Sequence, residues 1–120
     1  MTDSIRPSHT ALRVLVVEDS PSMRAVVVGI LREDGHHVAE AALGSEALHL
    51  ADQEYFNVAV VDLQMPGMDG LEVIRRFEDA VNRPGAVIIL TSQRDVEMRR
   101  RARHLGVKAW LSKPVCPDIL

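Results

Sequence analysis

Short runs that are apolar at every position alternate along this chain with segments of helical period. No other feature of the sequence restricts its fold as strongly. Val14–Val17, Asn57–Val61 after its polar first residue, and Ala86–Leu90 are such runs. A strand wetted on one face alternates apolar and polar residues, whereas a strand covered on both faces does not. Helices on both sides of a parallel sheet provide that cover, so the pattern reads as successive βαβ units of an α/β fold.

The segments between the runs carry helix signals. Ser20-Pro21 opens the first helix with a cap residue and a proline at the first helical position. Met23, Val26, Val27, Ile30 and Leu31 fall on one helical face, and Gly35 suits the position that ends it. His37–Ala41 is a weaker second strand. Gly44–Asp52 turns Ala47, Leu48 and Ala51 inward, and Asp69–Ala80 turns Leu71, Val73, Ile74 and Phe77 inward. Gln93–Leu105 forms the next helix, closed by Gly106, and Lys108–Leu111 the fifth strand. Cys116-Pro117-Asp118 has the form of the first turn of a fifth helix, which is truncated at Leu120.

A length of 120 residues suits one domain, with residues 1–12 expected as a flexible, polar N-terminal tail and 13–120 as the folded unit. Seventeen acidic residues against 14 basic ones give a net charge of −3, which lends no support to nucleic-acid binding. Cys116, the single cysteine, excludes an internal disulfide framework and a multi-cysteine zinc site. No apolar run approaches the ~18 residues of a membrane span, and no signal-peptide core is seen, so the expected location is cytoplasmic. Twelve of the 14 basic residues are arginines, leaving Lys108 and Lys113 as the lysines.

Four strands end in polar residues with chemistry: Glu18-Asp19, Asp62, Thr91 and Lys113. Each alone reads as an ordinary loop or cap residue. Ligands of open parallel sheets bind at the carboxyl ends of the strands, so neighbouring strands would bring all four ends into one shallow pocket. Three clustered carboxylates repel one another unless a cation compensates. Hard oxygen ligands suit Mg²⁺, which keeps waters and pairs with phosphoryl oxygens. A carboxylate beside such an ion can attack phosphorus to give an aspartyl phosphate, with Lys113 neutralising the transferring oxygens.

The segments VLVVEDS, VAVVDLQMPGMDGLEVI, VIILTS and WLSKP resemble the receiver domain of two-component response regulators over roughly residues 13–118. The resemblance implies a flavodoxin-like, doubly wound, five-stranded parallel sheet in the order 2-1-3-4-5. It further implies that Asp62 is the phosphoacceptor and that Glu18, Asp19, Asp62 and the backbone carbonyl of Gln64 hold Mg²⁺. Thr91 matches the switch hydroxyl, and Lys113 the phosphate-binding lysine before Pro114, whose peptide bond is commonly cis in the family. Gly70 lies where the loop closes onto its helix. The implied function is a phosphorylation-activated switch in a phosphorelay. Its partners would be a histidine kinase or phosphotransfer protein and an output domain or downstream protein. It would be an enzyme only in catalysing its own phosphorylation and dephosphorylation.

Trp110 occupies the aromatic switch position where the family usually has Tyr or Phe, and the fifth helix is cut short. Loss of that helix would bare the sheet face beside the first helix, which leads us to expect self-association, a homodimer, or cover by the tail. Arg94, Arg99, Arg100, Arg101 and Arg103 form a solvated basic face that could also serve a partner. The His36-His37 pair reads as loop and strand start, not as a metal site. The alternative function is an interaction module of the same fold that no longer uses phosphorylation. A phosphohydrolase or flavin-binding protein is disfavoured because Gln64 stands where a second acid would follow Asp62, and no phosphate-cradling loop follows the first strand.

Overall fold

The computed structural model describes residues 11–91 and 96–113. Five strands, β1 (Arg13–Val17), β2 (His37–Ala41), β3 (Val58–Asp62), β4 (Ala86–Thr91) and β5 (Ala109–Ser112), form one sheet in the order β2-β1-β3-β4-β5. All neighbouring pairs are parallel. Helices α1 (Pro21–Glu33), α2 (Gly44–Gln53), α3 (Gly70–Phe77) and α4 (Val96–His104) connect them. This is the doubly wound order that the resemblance implies. The fifth-helix start expected at Cys116–Asp118, Pro114, and residues 1–10 of the expected tail lie outside the described residues.

Successive strand residues serve opposite faces, and two cores result. Leu15, Val17, Ala59, Val61 and Ile89 pack with Ala47 and Ala51 of α2 and with Leu71, Val73, Ile74 and Phe77 of α3. Val14, Val16, Val60 and Leu90 pack with Val27, Val28 and Leu31 of α1. The all-apolar runs are thus explained, since each strand residue faces one core or the other.

Local capping sets the helix starts. Ser20 Oγ accepts from Met23 N–H to cap α1, and Asp69 Oδ1 accepts from Glu72 N–H to cap α3. Gly35 follows the α1 C-cap at φ 91°. Two expectations need correction. The buried stripe of α1 includes Val28, whereas Val26 is 47 % exposed, so the helix is rotated from the face read in the sequence. α3 ends at Phe77, not Ala80. Its last N–H groups bond three residues back, from Glu78 to Arg75, Asp79 to Arg76 and Ala80 to Phe77, which tightens the turn. Asn82 N–H then bonds Ala51 carbonyl and Gly85 N–H bonds Phe56 carbonyl, drawing the chain toward β4.

Candidate functional site

The chain leaves β1 for β2 on one side and returns to β3 on the other, so the connections part between β1 and β3 and leave the strand ends there open. Glu18 and Asp19 follow β1, Asp62 closes β3, Thr91 closes β4 and Lys113 follows β5. All come off the same edge of the sheet.

Carboxylate oxygens of Glu18, Asp19 and Asp62 lie within 4.8 Å of one another. Glu18 and Asp62 are buried, and Asp19 is half-buried at the mouth. Lys113 Nζ sits 2.9 Å from Glu18 Oε1 and 3.3 Å from Asp62 Oδ2. Its backbone N–H donates to Thr91 carbonyl at 3.0 Å, which continues the β4–β5 pairing by one residue and aims the lysine at the acids. Ser20 N–H donates to Glu18 Oε2 at 3.1 Å, and Gln64 N–H donates to Asp62 Oδ1 at 3.1 Å. Behind Asp62, the β3–α3 loop passes so close to α3 that a Cβ on Gly70 would stand 2.3 Å from Asp62 carbonyl oxygen. Glycine is required there for contact distance.

Burial is the main influence on Asp62 and lifts its pKa to about 6, with the nearby Glu18 carboxylate adding to the rise. The Gln64 N–H and the Lys113 ammonium work in the opposite direction. Burial alone would lower the Lys113 pKa, but the carboxylates of Glu18 and Asp62 outweigh it and raise it. The ammonium is one positive charge among three acids. A second cation would be favourable, and the donor set is all oxygen. Ligand atoms around a six-coordinate Mg²⁺ lie about 3–4.2 Å apart, a spacing that these three side chains can meet with small adjustments. The residues therefore fit the ion that the sequence suggested.

The structure brings together Glu18, Asp19, Asp62 and Lys113. Gln64 is tied in through its N–H. Thr91 is fully buried one residue beyond Leu90, the β4 partner of Asp62. Trp110 is elsewhere. It pairs with Ile89 on β5, three residues before Lys113, roughly 10 Å along the strand. Its ring lies under the Arg99 guanidinium, 4.9 Å from the centroid, and its Nε1–H is buried without an acceptor among the described residues. His36 Nδ1 accepts from Leu12 N–H, and His37 begins β2. Two contributors went unread in the sequence: Ser20 through its N–H, and Arg24, whose Nη1 donates to Glu18 carbonyl at 2.8 Å. The available signal for Arg24 was a cation at i of the stripe continued by Val27, Val28 and Leu31.

Comparison with known proteins agrees with this fold. The profile of the response regulator receiver domain matches residues 14–120. Protein PilH of Pseudomonas aeruginosa is 32 % identical, with 90 % of this chain and 90 % of the relative covered. A protein-glutamate methylesterase/protein-glutamine glutaminase of Myxococcus xanthus is 40 % identical over 89 % of this chain, which spans only 31 % of that relative's length. Among solved structures, the receiver domain of a sensor histidine kinase from Pseudomonas aeruginosa superposes with a TM-score of 0.81 at 26 % identity, covering 92 % of this chain and 91 % of that one. That structure holds a magnesium ion coordinated in its active-site cleft.

Proposed function

Because the chain belongs to the response regulator receiver domain family, we propose that it is a phosphorylation-activated switch whose phosphoacceptor is Asp62. One observation carries this reading: a buried carboxylate faces an ammonium at 3.3 Å within a three-acid cluster at the open edge of the sheet. Glu18, Asp19, Asp62 and the backbone carbonyl of Gln64 would hold Mg²⁺. When bound, that ion neutralises charge on the transferring phosphoryl oxygens.

The remaining work falls to the chain's own groups. Gln64 N–H holds Asp62 Oδ1 and fixes the carboxylate plane. A carboxylate oxygen of Asp62 forms the new O–P bond as the P–N bond of a phosphohistidine on a kinase or phosphotransfer protein breaks. The bonding pair returns to the imidazole nitrogen. Lys113 pairs with the incoming phosphoryl oxygens, and its ammonium is already at the acceptor. Thr91 donates its hydroxyl to the product phosphoryl, and the response passes through β5 to Trp110 and Arg99, a contact of about 1 kcal/mol that modest rearrangement can break. An output domain or downstream protein reads the changed face.

The test is labelling by acetyl phosphate with and without Mg²⁺, alongside Asp62→Asn. Labelling that needs both Mg²⁺ and Asp62 supports the reading. A folded protein that takes no label at saturating Mg²⁺ would instead be an interaction module of receiver fold.

A further inference from the structure

Arg24 lies on the inward stripe of α1, with Val27, Val28 and Leu31 at the following three contact positions. A guanidinium facing a sheet needs acceptors. Arg24 finds two. Its Nη1 donates to Glu18 carbonyl at 2.8 Å, and its Nε donates to Glu40 Oε1 at 3.1 Å. Glu40 belongs to the edge strand β2 and is braced by Arg32, whose Nη2 lies 3.6 Å from Glu40 Oε2 and also donates to Val38 carbonyl at 3.3 Å. The side chain of Arg24 is 20 % exposed.

The peptide plane is rigid, so fixing a carbonyl fixes the N–H of the next residue as well. On one side of Glu18 its N–H is held by Ala41 carbonyl at 3.0 Å. On the other side its carbonyl, coplanar with Asp19 N–H, is held by Arg24. Both planes flanking Glu18 are therefore pinned, one to β2 and one to α1. The directions in which Glu18 and Asp19 leave the backbone follow from those two planes. We propose that Arg24 is a positioning residue for the site: it sets the presentation of the Glu18-Asp19 pair to a divalent cation. This rests on the metal site proposed above.

Charge alone predicts the opposite effect. Removing Arg24 by itself leaves Glu40 paired with Arg32 alone and makes the region more negative, which favours a cation. The informative variant is therefore Arg24→Ala with Glu40→Ala, which leaves the net charge unchanged. Residues that orient metal ligands typically change affinity by 10- to 100-fold when removed. The dissociation constant for Mg²⁺, measured by calorimetry without phosphodonor, should rise ~10-fold in the double variant. Acetyl-phosphate labelling should fall at limiting Mg²⁺ and recover at saturating Mg²⁺. In the metal-free protein, exchange of the Asp19 amide should accelerate. A merely structural arginine would lower the unfolding midpoint and leave the Mg²⁺ affinity unmoved, and that result overturns the proposal. Should the double variant fail to fold, Arg24→Lys keeps the charge but replaces the planar fork, whose separate Nε and Nη1 reach Glu40 and the Glu18 carbonyl, with a single ammonium nitrogen. Several-fold weaker Mg²⁺ binding is then expected, and unchanged binding overturns the proposal. A wild-type protein that binds no Mg²⁺ would overturn the metal site itself, an outcome distinct from a wild type that binds and an Arg24 variant that binds equally well.

Discussion

Asp62 carries an unfavourable charge in the metal-free protein, and stability should report it. Its pKa stands at about 6, against an ordinary 3.8. Between those values the folded state holds more protons than the unfolded chain, so stability falls as pH rises through that window. Above pH 6 the penalty is fully present; below pH 4 it is gone. Asp62→Asn should raise metal-free stability at pH 7 by about 1–2 kcal/mol and flatten the pH 4–7 profile, as urea unfolding would measure. Mg²⁺ should stabilise the wild type and do little for the variant. Lys113→Ala tests the opposite charge. Without the ammonium, Glu18 and Asp62 are buried side by side, which should cost about 1–3 kcal/mol in metal-free protein. Mg²⁺ should then bind more tightly, because no ammonium competes for the same oxygens, while labelling slows. Slower labelling with weaker Mg²⁺ binding would contradict that division of roles. At this scale the sequence spoke clearly about Glu18, Asp19, Asp62, Thr91 and Lys113, because each ends or follows an apolar run. It was silent about Arg24. A lone arginine in a helix reads as a solvated charge until the helix rotation is known, and the Val26-for-Val28 error hid that rotation.

Among the elements, the β3–α3 connection places the site most tightly. Gly70 N–H bonds Leu63 carbonyl at 3.0 Å, and a side chain there would meet the backbone of Asp62 and Leu63. Gly70→Ala must push α3 away from β3, at a cost of about 1–3 kcal/mol, and it should disturb Asp62 directly. Asp69→Ala provides the comparison one residue away. It removes the α3 cap for about 1 kcal/mol but touches no site residue. Thermal unfolding should show both losses. Labelling at saturating Mg²⁺ should fall for Gly70→Ala alone; equal labelling would mean that the close approach does not position Asp62. The start of α1 was legible because Ser20-Pro21 is a local capping signal, whereas Asp69, read as the first residue of its helix, is the cap of α3. The end of α3 was not, since the bonds from Asn82 to Ala51 and from Gly85 to Phe56 are tertiary.

For the molecule as a whole, the doubly wound order turns scattered strand ends into one site. Composition could not reveal this. The alternation of apolar runs and helices gave the class, and motif resemblance gave the strand order. Folding and chemistry are then linked through ligand binding: Mg²⁺ at about 100 times its Kd should add about 2.7 kcal/mol to the stability of the wild type. Among the described residues, no helix is long and apolar enough to cross a membrane. Phosphorylation of one carboxylate at this edge of the sheet can be read at the atom concerned. Protein treated with acetyl phosphate and Mg²⁺, trapped with borohydride and mapped by peptide mass spectrometry, should carry reduced residue at position 62 in place of Asp62. Modification at another residue, with Asp62 intact, would contradict the account.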